Sequence, residues 1–146
     1  MSLKTLSDLS KKMRDIDFAF LSTRTSGGAI AARPMSNNRD VEWDGTSWFF
    51  ALEVTGLVQQ ATADPHVLVT CTGERGLWIA TTGRARVHDD RTLMAEHWDP
   101  DIDRWFEQGV DTPGLRLIEV VGEHVRYWTY EDGDGEIDLG AAAPTA

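Results

Sequence analysis

The sequence predicts a mainly β domain with short α-helices, folded as a small antiparallel barrel of six or seven strands. Short stretches with period-two alternation recur along the chain, among them "DFAFLSTR", "HVLVTCT" and "LWIATTGRARVH". Turn residues stand between such stretches at Ser26-Gly27-Gly28, at Asp44-Gly45 and in the "GERG" of residues 73–76. Segments with helical spacing are few and short.

Taken in order, Leu3, Leu6, Leu9, Met13 and Ile16 recur three or four residues apart, which predicts an amphipathic helix N-capped by Ser2 and packed on the sheet. Phe18 and Phe20 share one side of the next strand, and "AIAARPMS" returns after the glycine turn to complete a hairpin. "SWFFAL" is a strand by its aromatics. "TGLVQQATA" is a short helix with Thr55 as its cap and the "DP" of residues 64–65 as its stop. "HVLVTCT" and "LWIATTGRARVH" pair across "GERG", the second long enough to bend at Gly83. Between residues 90 and 108 the spacing turns helical, with Leu93, Met94, His97 and Trp98 in one set, Ile102, Trp105 and Phe106 in another, and Pro100 between them. "GLRLIEVVGEHVRYWTY" reads as one long bent strand or as a hairpin about Gly122. The 146 residues suit one domain over residues 1–130, followed by an acidic, partly flexible tail over 131–146 whose "GAAAPTA" end is expected to fray.

Charge narrows the functions. The net charge is −10, and the three lysines, Lys4, Lys11 and Lys12, all fall in the first twelve residues. A field of that sign repels nucleic acid and anionic membrane, and no basic patch with interleaved aromatics opposes it. The body offers no lysine for a Schiff base or a phosphate loop, so an anion would have to be held by arginines, hydroxyls and backbone N–H groups. No stretch has the roughly 20 apolar residues of a membrane span, and the N-terminal segment has no secretory apolar run, so a cytoplasmic protein is expected. Cys71 is the single cysteine and is expected in the core.

Two residues of "AIAARPMSNN", residues 29–38, do not suit a buried strand. Pro34 cannot donate to a ladder, which places it at a sheet edge. Arg33 directed inward asks for an anionic partner, either a ligand or a carboxylate.

These fragments also stand in a familiar order. "ARPM", "WFF", "TGLV" before a helix that ends in "DP", "LWIATTGRARVHDD", "RWFEQGVDTPGLRLIEV" and "RYW" follow one another over residues 5–130. Together they resemble the pyridoxamine-phosphate oxidase-like split-barrel flavoproteins, specifically their general stress protein subgroup. The resemblance implies a six-stranded antiparallel split β-barrel that forms a homodimer, with flavin mononucleotide (FMN) in clefts between the subunits and FAD as the alternative flavin. It implies that Arg33 contacts the flavin, with Pro34 and Met35 at the strand edge beside the ring. Phe49, Phe50 and Ala51 match the strand whose backbone lines the cofactor, and Thr55 and Gly56 match the turn at its phosphate. Leu57 stands where many relatives carry a phosphate-binding lysine, which leaves Arg24, Arg84 and Arg86 as candidate replacements. The partner subunit would contribute around Trp78 and Ile79, and Trp105 with Phe106 matches an aromatic pair that covers the flavin.

The chemistry expected is that of the cofactor, since the chain shows no nucleophile turn and no matched carboxylate pair, and its catalytic residues stay unassigned. A flavin-dependent oxidoreductase of low specificity, supplied by a nicotinamide reductant, is the leading expectation. The alternatives are flavin binding or sensing without turnover, and the same barrel with deazaflavin or haem. No metal is expected, because His66, His88, His97 and His124 share no ligand spacing. "EDGDGEIDLG" imitates a calcium loop, but Tyr130 and Ala141 would fall on its first and twelfth positions.

Overall fold

Turn chemistry sets the first hairpin. A computed structural model of the chain describes residues 5–36 and 43–139. Within it, β1 (Phe18–Arg24) and β2 (Ile30–Ser36) pair antiparallel across a turn in which the Thr25 N–H donates to the Ala29 carbonyl at 2.8 Å. The helix before them, α1 (Leu6–Met13), is capped by Thr5, whose Oγ1 accepts from the Asp8 N–H at 3.2 Å. The expected cap, Ser2, lies outside the described residues together with Leu3. Thr5 prevails because Asp8 makes the bond reciprocal, accepting from the Thr5 hydroxyl at 2.9 Å.

After β3 (Thr46–Leu52), Thr55 starts α2 (Gly56–Ala63), its Oγ1 accepting from the Val58 N–H at 3.4 Å. β4 (His66–Gly73) and β5 (Leu77–His88) follow as the expected pair, and their neighbour β6 (Leu115–Thr129) is one strand rather than a hairpin. A register shift at Thr82/Gly83 bends β5 where expected, opposite Gly122. A Cβ on Gly83 would stand 2.3 Å from the Val121 carbonyl oxygen, so the two strands come closer there than any other residue allows. Between β5 and β6 lie α3 (Arg91–Glu96) and two 3-10 turns, Pro100–Ile102 and Gly109–Asp111. Of the second helical set only Ile102 is helical, at the end of a 3-10 turn begun by Pro100 and capped by Asp99 Oδ1, which accepts from the Asp101 N–H at 2.7 Å; Trp105 and Phe106 follow in irregular chain.

The segment expected as a tail contains a seventh strand, β7 (Gly133–Asp138), antiparallel to the second half of β6. Its composition looks solvated, yet Gly135 leaves the room that the Tyr127 ring occupies, since a Cβ there would meet Tyr127 Oη at 2.2 Å. Residues 140–146, the end expected to fray, are outside the described residues.

The sheet runs β2-β1-β4-β5-β6-β3, with β7 beside β6. β2 and β3 end the path and do not pair with each other among the described residues, so the barrel is split between them. Its interior is filled by Leu9, Leu21, Phe49, Ile79, Ile118, Val120 and Val125, with α2 packed on β1, β3 and β5. A second cluster, Phe50, Met94, Ile102, Leu115 and Leu117, lies under the α3 segment. Adjacent residues of β3 therefore serve opposite faces, Phe49 the barrel and Phe50 the second cluster. Phe18 and Phe20 do share a side, and it is the outer one: Ala19, Leu21 and Thr23 face in.

Candidate cofactor site

A cleft of about 260 Å³ opens along the split. β2 supplies Pro34, Met35 and Ser36 to it, β3 supplies Trp48, Phe49 and Phe50, and the segment after α3 supplies Asp99, Ile102, Trp105 and Phe106. Phe18 completes the wall. Six residues singled out by sequence thus share one mostly apolar slot: Pro34, Met35, Phe49, Phe50, Trp105 and Phe106. Both flanking strands are sheet ends, so every second residue of each turns its N–H and C=O away from its single partner strand. Ala51, next on β3, is buried in the barrel.

Arg33 stands beside Pro34 but turns to the barrel side. Its Nη1 donates to the Leu21 carbonyl at 3.1 Å and to Thr23 Oγ1 at 2.8 Å, and its Nη2 donates to Gln60 Oε1 at 3.1 Å. All three acceptors are neutral, and among the described residues no carboxylate pairs with this guanidinium. Half-burial among neutral groups lowers the Arg33 pKa from its ordinary value, because charge is disfavoured there by desolvation. An arginine donates five N–H bonds, and three are made to described residues.

The start of α2 lies on the same side. The Thr55 hydroxyl donates to the Leu52 carbonyl at 2.7 Å while capping the helix, so its oxygen is committed to the turn. The N–H groups of Gly56 and Leu57 have no intrahelical acceptors, as in any first turn. No acid occupies that turn to offset the helix dipole, and Glu53, just before it, is drawn to Arg116 at 2.6 Å. A Cβ on Gly56 would lie 3.3 Å from Gln60 Nε2, so Gln60 joins the helix start to Arg33. Leu57 is 6 % exposed and packs in the barrel core, which explains a leucine here.

The other arginines do not fill the lysine's place within one chain. Arg24 approaches Asp64, the C-cap of α2, at 3.9 Å. That end is about 12 Å from the helix start, given a rise of 1.5 Å per residue. Arg84 pairs with Glu123 at 3.3 Å, and Arg86 is exposed on the outer side of β5. Trp78 is also on that outer side, edge-on to Tyr130 with centroids 5.3 Å apart, whereas Ile79 is in the barrel core. Neither lines the cleft of its own chain. Trp105 is exposed at the rim, and Phe106 packs against Trp98 in the second cluster.

These groups fit the cofactor that the resemblance implies. A flat ring suits the apolar slot between two strand edges, and an anionic end suits Arg33 with the open first turn of α2. Thr23 and Gln60 were not singled out from sequence. Gln60 was within reach, being four residues after Gly56 and so on the same helix face, whereas the burial of Thr23 follows from the inward phase of β1.

Comparison with known proteins agrees with this architecture. Residues 4–142 match the family described as pyridoxamine 5'-phosphate oxidase like. A general stress protein 26-related protein from Clostridium acetobutylicum superimposes with a TM-score of 0.80 at 12% identity, covering 94% of this chain and 96% of that one. The general stress FMN/FAD binding protein of Xanthomonas citri gives 0.73 at 22% identity, over 86% and 89% of the two chains. Protein bli-3 of Neurospora crassa is 24% identical over 125 residues, which span 79% of this chain and 60% of that relative's length. With its split sheet, the chain belongs to the pyridoxamine 5'-phosphate oxidase-like family and has the architecture of its general stress proteins.

Proposed function

We propose that the chain binds FMN in the split between β2 and β3 as half of a homodimer, and serves as a flavin-dependent oxidoreductase of low specificity. One observation carries the reading: an apolar slot between two sheet edges is lined by Pro34 of β2, next in the chain to Arg33, whose guanidinium meets only neutral oxygens among the described residues. Pro34, Met35 and Phe50 would hold the ring, and Trp105 would cover it. Arg33 and the N–H groups of Gly56 and Leu57 would hold the phosphate, and Trp78 of the partner subunit would close the far side. Bound flavin supplies electron and hydride transfer, while the chain supplies position and exclusion of water. FMN is preferred to FAD here because the slot and the donor cluster account for a ring and one anionic group.

The experiment is an equilibrium titration of purified protein with FMN and FAD, beside Arg33→Ala. Wild type should take up FMN. The variant should bind it on the order of ten- to a hundredfold more weakly, the share of a charge-assisted hydrogen bond, with the fold retained. Wild type that binds neither flavin, or a variant with unchanged affinity, overturns the reading.

A specific observation favours a second reading, flavin binding without turnover. Among the residues lining the cleft, Asp99 alone is ionisable, and its carboxylate caps a 3-10 turn. Steady reduction by NADH or NADPH followed by transfer to an acceptor decides for the enzyme; a flavin that stays oxidised decides for the binding protein.

A further inference from the structure

Gln60 links Arg33 to the start of α2, and it lies outside both the cleft lining and the residues matched by resemblance. Its Oε1 accepts from Arg33 Nη2 at 3.1 Å and from Thr23 Oγ1 at 2.6 Å. Thr23 Oγ1 accepts in turn from Arg33 Nη1 at 2.8 Å, so the three side chains close a ring. Both neighbours of Oε1 are donors, which fixes the amide orientation, because the reverse would set an NH2 group against the guanidinium. Nε2 is thereby directed to the helix start, 3.3 Å from where a Cβ of Gly56 would be, and it has no protein acceptor among the described residues.

Charge decides what such a residue can do. A glutamate here would hold Arg33 equally well and would neutralise it. A glutamine holds it and leaves the positive charge for a ligand. We propose that Gln60 is a positioning and specificity residue for the phosphate end of the flavin, holding the Arg33 guanidinium through Oε1 and donating to the phosphate through Nε2. In this way it supplies the second side-chain donor that the Leu57 side chain does not. The inference rests on the flavin reading of the cleft, and it accounts for a phosphate site with one arginine and no lysine.

The test is titration of the 146-residue chain with FMN and with riboflavin, which lacks the phosphate, at low and high salt, for wild type, Gln60→Glu and Gln60→Ala. Gln60→Glu should weaken FMN about tenfold or more, leave riboflavin within about twofold, and flatten the salt dependence of FMN binding. Gln60→Ala should lower the FMN-to-riboflavin preference by a smaller factor, and it decides the matter if Gln60→Glu does not fold. Equal losses for both ligands, or an unchanged preference in the variants, overturn the role of Gln60 while the flavin reading stands. Wild type that binds neither ligand overturns that reading and the inference with it.

Discussion

Cys71 and Arg33 are both polar groups within a mostly apolar framework, and burial treats them differently. The Cys71 thiol is buried in the barrel, donates to Met13 Sδ at 3.4 Å, and is pushed up to about 12. A thiol so raised is held in its neutral form by the fold. Above its unfolded value near 9.0, the unfolded chain loses this proton and the native chain keeps it, so stability falls as pH rises toward the folded value. The stabilising contribution is thus complete below about pH 9 and decays above it. Urea denaturation across about pH 8 to 10 should show stability declining in wild type, and a shallower decline in Cys71→Ala whatever its absolute stability. Identical slopes would show that the thiol does not set the alkaline limit. Arg33 has no such freedom to neutralise, because a guanidinium keeps its proton throughout the working range; three neutral acceptors offset part of its desolvation, and on the proposed reading a bound anion would offset more.

At the scale of elements, β5 shows why some features could be read in advance. Gly83 interrupts an alternating strand, and only a bulge or a close backbone approach explains a glycine there; the structure has both. Gly83→Ala should cost about 1–3 kcal/mol in urea denaturation, since the new methyl must displace the Val121 carbonyl and with it the β5–β6 ladder. A loss near zero would mean that the ladder yields freely. The caps of α2 were equally legible, because Thr55 and the "DP" stop act through local chemistry. What stayed hidden depends on partners distant in sequence. Periodicity put Phe18 and Phe20 on one side of β1 without saying which, because aromatic residues suit a core and an outer face alike. Gly122 allowed either a turn or a continuous strand, and continuity follows from β5 pairing along both halves of β6. β7 was missed because a strand rich in glycine and acids has little apolar pattern, and its place depends on Tyr127. In the site, six of the slot residues were legible through family order, whereas Phe18, Ser36, Trp48, Asp99 and Ile102, which line it too, were not. The Thr23–Gln60–Arg33 ring was not, since it joins β1, α2 and β2 in three dimensions.

For the whole molecule, the outer face beside the split exposes three large aromatic side chains. Phe18, Phe20 and Trp105 are 45%, 50% and 56% exposed, and the Arg104 guanidinium lies over the rings of Phe18 and Trp105 at 5.9 and 5.5 Å. Phe20 stands opposite Pro34 on β2, and Phe18 lines the cleft, so this surface is continuous with the candidate site. A large apolar patch rimmed by a cation suits a protein partner, and a second copy of the chain covering it would also enclose the open cleft. Phe20 is therefore a residue whose replacement separates assembly from folding. It is half exposed and outside the barrel core, so Phe20→Asp should leave thermal stability of the monomer nearly unchanged. In sedimentation, wild type should run as a dimer and Phe20→Asp as a monomer, because an unpaired carboxylate in a buried interface is strongly disfavoured. The variant should also bind FMN more weakly although Phe20 does not line the cleft, since the second wall of the site leaves with the partner. A monomeric wild type, or a monomeric variant with undiminished flavin affinity, would show that one chain completes the site alone.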